Sequence, residues 1–187
     1  MFGGGNMFQR LLSRNGPQGK VRALYGAIVA QARMPAFYGI YGVPDTVEGR
    51  FDMVLLHVYL VWRRLAGESA AFRDMAQAVF DLFFQDMDES MRELGVGDLS
   101  VPRKVRAMGE AFYGRKSAYD AALAAPDDAP LVAAIARNVF GAAGGAERQA
   151  MHLARYVRSA DRKLAAQPAE TIARGEIEFP VPEEIAA

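Results

Sequence analysis

The residues of this sequence best placed for chemistry are charged side chains set into apolar helical faces. Asp86 and Glu93 lie seven apart on the apolar side of the stretch FRDMAQAVFDLFFQDMDESMREL, Phe72–Leu94. In the stretch before it, Arg50, His57 and Arg64 recur with the same spacing along the edge of an apolar face. An imidazole next to a carboxylate is the base-and-orienter half of a nucleophilic site. Such a dyad also needs a nucleophile and a substrate pocket, and the sequence offers neither. The preferred reading is structural. An unpaired buried ion costs several kcal/mol, so buried charges seek partners. Antiparallel packing of the two stretches would bring Arg50 to Glu93 and His57 to Asp86. The expectation is therefore a polar seam of Arg50, His57, Arg64, Asp86 and Glu93 that fixes helix register, with no catalytic residue.

Other constellations are weaker. Asp86, Asp88 and Glu89 form an acidic string of the kind that holds magnesium and diphosphate in helical isoprenoid enzymes. Asp86 and Asp88 are two apart, however, and point away from each other on a helix, and no second acidic cluster faces them. With no cysteine and two histidines, thiolate sites and His-rich metal sites are excluded. No cofactor is expected. Arg148, Arg155, Arg158 and Arg162 form a basic stripe on one predicted helix, suited to an acidic partner, ribosomal RNA or anionic lipid. No aromatic residue interleaves with them, which argues against base stacking.

Composition sets the frame. Its 22 basic and 22 acidic residues cancel, so the chain as a whole does not seek polyanions and is not expected to bind DNA. The charges are segregated. Before Asp45 come Arg10, Arg14, Lys20, Arg22 and Arg33 and no acid; after Gln167 come five glutamates and Arg174. No apolar run approaches the roughly 20 residues that span a bilayer. The expected location is the cytoplasm, with peripheral contact at the inner face of the cytoplasmic membrane through the basic segments.

The elements that must position these residues read as helices throughout. A chain of 187 residues is most simply one domain. Residues 1–16 read as a flexible basic segment, 17–167 as a helical domain and 168–187 as an acidic, mostly extended tail. Gly19–Met34 carries a stripe of Val21, Leu24, Tyr25, Ile28 and Val29. PAFYGIYGVP, 35–44, reads as a non-helical aromatic connection that is either packed on the body or part of a binding surface. A second helix runs to Ala66 with Gly67 as its stop. Phe51, Val54, Leu55, Val58, Trp62 and Leu65 form one of its faces, and Met53, Leu56 and Leu60 the other. The stretch Phe72–Leu94 is apolar nearly all round and reads as the central helix. Ser100 would cap a fourth helix, bent at the Phe-Tyr-Gly-Arg of 112–115. Two more follow, over 131–140 and 146–166, the latter with Ala150, Leu153, Val157, Ala160 and Leu164 facing inward. The fold class is all-α, a bundle of about six helices.

Several stretches together resemble a known family. They are DTVEGRF at 45–51, LHVYLVWRRL at 56–65, DMDESMRELGVGDLSVPRKV at 86–105 and AFYGR at 111–115. In this order they are similar to the ubiquinol–cytochrome c chaperone family, over roughly Lys20 to Leu164. The matching positions are Asp45, Gly49, Arg50, His57, Arg64, Asp86, Asp88, Arg92, Glu93, Gly95, Asp98, Phe112, Tyr113, Gly114 and Arg115. The resemblance implies an all-helical, non-enzymatic assembly factor for respiratory complex III that holds newly made cytochrome b, near the ribosome and with a small partner subunit in mitochondrial members. The present chain departs from the mitochondrial members in showing no long targeting extension, and its 18 Arg to 4 Lys point to a bacterial type. Client contact is assigned to Phe37, Tyr38, Tyr41, Phe112, Tyr113 and Arg115, and partner docking to Arg148, Arg155, Arg158 and Arg162. The competing readings are a small binder of quinone or haem, which predicts an enclosed apolar pocket, and the metal-dependent isoprenoid enzyme.

Overall fold

Thr46 begins the helix about which the others pack. Its side chain accepts a hydrogen bond from the Gly49 amide at 3.1 Å, closing the first turn. Gly49 is required there for a second reason: a Cβ at this position would sit 2.0 Å from the Pro44 carbonyl oxygen. The computed structural model describes residues 16–93, 95, 97, 100–141 and 145–186. Its helices are α1 (Pro17–Ala32), α2 (Pro35–Gly39), α3 (Val47–Ala66), α4 (Ala70–Glu93), α5 (Val101–Ala124), α6 (Ala129–Val139), α7 (Glu147–Ala165), α8 (Ala169–Ala173) and α9 (Pro182–Ala186). Among the described residues no strand occurs. The basic segment at 1–15 lies outside the described residues.

The helix at the centre is α3, not α4. Every residue from Met53 to Val61 is buried, His57 included. Helices α1, α4, α6 and α7 all pack on it. Around it the contacts run α1–α4, α4–α5, α5–α6 and α6–α7, a ring open between α7 and α1. Only Ala76, Val79, Phe80 and Phe83 of α4 are buried. The sequence suggested a central α4 because its apolar residues cover most of the circumference. Part of that surface, at Phe72, Met75, Leu82, Phe84, Met87 and Met91, is only half-buried.

The gap between α7 and α1 is closed by the C-terminal segment. Gly175, at φ +80°, turns the chain out of α8, and a Cβ there would lie 2.9 Å from Ala23 Cβ. Residues 176–181 then run without regular secondary structure, and 182–186, read from the sequence as part of an extended tail, instead form α9. The segment packs on the body: α9 contacts α7 and α2, and Pro180 and Pro182 are buried.

Three local expectations are corrected. Pro35–Gly39 is a helical turn, begun by a proline whose missing N–H is not needed at that position. Helix α5 runs unbroken through 112–115, since Gly114 sits on its exposed side where packing from both ends holds the helix. Ser100 precedes α5 without a side-chain capping bond. The inward positions of α7 are as read: Ala150, Leu153, Val157, Ala160 and Leu164 are at most 1% exposed.

Candidate functional site

The polar seam between α3 and α4 does not form: His57, Asp86, Arg50 and Arg64 have other partners, and Glu93 is exposed. His57 is fully buried, with Nδ1 2.7 Å from the Met53 carbonyl oxygen and Nε2 2.8 Å from the Tyr156 hydroxyl. A carbonyl can only accept, so Nδ1 carries the proton and Nε2 accepts from Tyr156. The Tyr156 oxygen accepts in turn from Gln31 Nε2 at 3.0 Å. Burial pulls the His57 pKa down to about 4, against a smaller upward pull from the Met53 carbonyl. This histidine is a neutral core group, not a base poised for work. Asp86 accepts from the Tyr25 hydroxyl at 2.7 Å on the α1 side. Burial and this carboxylate both raise the Tyr25 pKa. Arg50 pairs with Asp45 at 2.6 Å near the surface, 5.9 Å from the Tyr38 ring centre, and Glu93 is exposed. The reason lies in α3 itself. The face with Phe51 and Trp62 meets α4, through Phe83 and Phe80, while His57 faces Tyr156 of α7.

Arginines rivet the helices instead. Arg64 donates to the carbonyls of Leu164 at 3.0 Å and Gln167 at 2.9 Å, a cation at the negative end of α7. Arg158 reaches the carbonyls of Ala122 and Leu123 at the end of α5, and Asp128 at 2.5 Å. It is a structural clamp, and this removes it from the expected docking stripe. Arg115 pairs with Asp52. Burial lifts the Asp52 pKa above the ordinary carboxylate value, outweighing the guanidinium. Arg63 joins Asp161 at 2.9 Å to Asp120 at 3.0 Å, and Asp120 also accepts from Tyr59 and Lys116. Burial works to raise the Asp120 pKa, but these donors together bring it below the usual value. Arg148, Arg155 and Arg162 remain exposed in one row on α7, with Met151 44% exposed beside them.

The aromatic residues separate into floor and surface. Phe37 and Tyr41 are fully buried, and Phe112 is 1% exposed, stacked on Trp62 with ring centres 5.1 Å apart. None of the three presents a client-binding surface as folded. Tyr38 is half-buried and donates to the Ala32 carbonyl at 3.0 Å. Tyr113, at 55% exposed, is the one aromatic of the expected set that stands open among the described residues.

Around Tyr113 lies an apolar strip that was not assigned from the sequence. Phe80 packs tilted against Phe112 with ring centres 4.5 Å apart, and Phe84 lies 3.9 Å from where a Gly109 Cβ would be. This antiparallel register brings Met87 and Met91 of α4 to the end of α5 that bears Val105 and Met108, all four half-buried. Phe84, Met87 and Met91 fall at i, i+3 and i+7, a second apolar stripe on α4. In the sequence this stripe has the same pattern as a core face. Methionines and aromatics make a surface that adapts to varied apolar partners.

The other chemistries find little support in the geometry. Asp88 pairs with Arg92 at 2.6 Å and Glu89 accepts from Gln85 at 3.0 Å within their own helix, while Asp86 is taken by Tyr25 of α1. Among the described residues no three His, Asp or Glu side chains group as a metal site. A cleft of about 360 Å³ between α1, α4 and α8 has Phe72 and Met75 at its base and Lys20, Glu170 and Arg174 around it. It is an open cleft with charged walls, unlike the enclosed apolar pocket that the quinone or haem reading requires. Among the described residues no helix is long and apolar enough to cross a membrane.

Comparison with known proteins bears on the same fold. Residues 40–179 match the family model described as Ubiquinol-cytochrome C chaperone. A Xenopus laevis protein named ubiquinol-cytochrome-c reductase complex assembly factor 1 is 27% identical over 141 residues, 74% of this chain and 70% of that one. Its Mus musculus counterpart is 28% identical over 141 residues, and there the match takes in 48% of the relative's length. The crystal structure of the Cbp3 homolog from Brucella abortus aligns with a TM-score of 0.83 at 37% identity, covering 95% of this chain and 96% of that one. The family match includes most of the ring of helices and the whole of α3, so fold and sequence agree: the chain belongs to the ubiquinol–cytochrome c chaperone family.

Proposed function

We propose that this chain is a non-catalytic assembly chaperone that holds cytochrome b of the respiratory ubiquinol–cytochrome c reductase before the complex is complete. The observation that carries the proposal is the family match over residues 40–179, together with relatives named as assembly factors of that complex. The client contact we assign is the α4–α5 strip of Phe84, Met87, Met91, Met108 and Tyr113. A membrane subunit awaiting its partners exposes apolar helix faces, and a half-buried strip of this composition can cover one. Arg148, Arg155 and Arg162 are assigned to an anionic membrane surface, which would keep the chaperone where its client is inserted.

Affinity capture of the tagged protein from its own cells under mild detergent, followed by mass spectrometry, tests the proposal. Cytochrome b enriched over other abundant membrane proteins is the expected result. Co-purifying ribosomal proteins or a small partner subunit would place the capture early in assembly. Clean recovery without cytochrome b, above all with a coloured or lipidic ligand attached, overturns the chaperone reading in favour of a small-molecule binder. Flotation with anionic vesicles tests the arginine row: binding should be lost at high salt and in the triple variant Arg148→Ala/Arg155→Ala/Arg162→Ala.

A further inference from the structure

The gap in the helical ring between α7 and α1 is floored by aromatic rings that support one another. Phe37 lies 5.5 Å from Tyr41 and 4.8 Å from Tyr156, centre to centre, and His57 lies 5.6 Å from Tyr156. The C-terminal segment fills this gap, and one ring contact among those described joins it to the floor: Phe179 on His57, at 5.3 Å.

The polar hold on the segment is mainly of one kind, with one ion pair beside it, Lys163 Nζ to Glu178 Oε2 at 3.6 Å. Side chains of the body bond to its main chain. Tyr41 Oη donates to the Pro182 carbonyl at 2.8 Å, Gln31 Nε2 to Pro180 at 3.2 Å, and Lys163 Nζ to Phe179 at 3.0 Å. Gln167 brackets Glu178, donating to its carbonyl at 2.8 Å and accepting from its amide at 2.9 Å. Main-chain recognition of an extended, proline-bearing segment, with pockets for a few apolar side chains, is how aromatic grooves bind peptides in trans. The segment's own glutamates, Glu176, Glu178, Glu183 and Glu184, are all exposed, with Glu176 paired to Arg174 at 3.0 Å and Glu178 to Lys163 at 3.6 Å.

Its departure would orphan little. Both His57 nitrogens are bonded within the body, and Gln31 keeps Tyr156. The donors released, at Tyr41, Gln31, Lys163 and Gln167, would face the opened groove, where water can serve them. A segment that was part of the core would leave buried polar groups unpaired; this one does not.

We infer that the groove between α1 and α7, built from Gln31, Tyr41, His57, Tyr156, Lys163 and Gln167, is a binding site for an extended aromatic- and proline-bearing polypeptide segment, and that residues 176–185 are its resident occupant. The incoming segment belongs to the client, a part of the inference that rests on the chaperone reading. The aromatic stretch 35–44 then serves the client after all, once the groove is vacated.

The probe is a fluorescent peptide of residues 176–187, with a scrambled peptide as control. It is titrated by anisotropy against the intact chain and against the full-length variant Phe179→Ala. The tethered segment competes at an effective concentration of about 1 mM, so a peptide of intrinsic Kd about 0.1 mM should bind the intact chain about tenfold more weakly than an open groove. Phe179→Ala weakens the resident segment and should recover most of that tenfold. If the alanine chain does not fold, Phe179→Leu should give a smaller gain of the same sign. No gain over the scrambled peptide in any folded variant overturns the groove. Failure of peptide binding alongside normal capture of cytochrome b overturns this inference alone. Peptide binding without cytochrome b capture overturns the chaperone reading and leaves the groove standing.

Discussion

Replacing His57 by glutamine separates the observed fold from the helix seam expected from the sequence, because the two give opposite signs. In the fold, His57 is neutral and sealed, with a pKa near 4 against an ordinary value near 6.5. Its stabilising contribution is whole above the unfolded-state pKa. As pH falls from 6.5 towards 4, the unfolded chain takes up a proton that the folded chain refuses, and stability is lost. Each tenfold drop in proton affinity is worth about 1.4 kcal/mol, so the full loss is about 3 kcal/mol, and about 2 kcal/mol of it is reached by about pH 5. Had His57 paired with Asp86, its pKa would be raised, and this histidine would add stability as the pH fell. Glutamine does not titrate, yet it can donate to the Met53 carbonyl and accept from Tyr156. Urea unfolding of both proteins, followed by Trp62 fluorescence and circular dichroism between about pH 7.5 and pH 4.5, reads the difference. Carboxylates titrate in both chains and cancel. The variant should be less stable at neutral pH, by about 1–3 kcal/mol for a disturbed buried bond, and the gap should close by about 2 kcal/mol towards acid pH. A gap that stays constant, or widens on acidification, would refute the buried neutral imidazole.

Three further outcomes are expected. Phe112→Ala removes a ring stacked on Trp62 and packed against Phe80 and should cost about 3–5 kcal/mol in chemical denaturation, as a core residue does and a client-contact residue does not. Gly49→Ala drives a methyl into the Pro44 carbonyl, so the first turn of α3 must shift; a loss of about 1–3 kcal/mol or more in thermal unfolding is expected, and an unchanged melting temperature would contradict the close approach. Tyr113→Glu changes an exposed side chain, so stability should move by no more than about 0.5 kcal/mol, while capture of cytochrome b should fall several-fold; full capture would remove the α4–α5 strip from the client site.

What could be read from the sequence follows the range of each interaction. The helices were legible because side-chain periodicity and the Gly67 stop act within a turn or two. The inward face of α7 was legible because its small and apolar residues recur at one angle. The family was legible because four motifs occur in order, and only their order is specific. Rotation of one helix against another was not legible. The same pattern that placed His57 on the second face of α3 left open which neighbour that face would meet, and Asp86, on α4, turned to Tyr25. Apolar residues on α4 could not be divided into core and open strip, since both look alike in sequence. Nor does any local signal announce that Gln31, Tyr41 and Gln167, more than a hundred residues apart at the extremes, would converge on the main chain of residues 178–182.

Sequence alone therefore determined the helical class, the lengths of the main helices, the charge segregation and the kinship of this chain. The tertiary structure decided which helix is central, which arginines are clamps and which stay exposed, and which aromatics are floor and which are surface. The division is physical. Hydrogen bonds and side-chain periodicity within a helix are fixed by neighbours in the chain, whereas burial and ion pairing depend on which faces meet, and that is settled only when the ring of helices closes around α3.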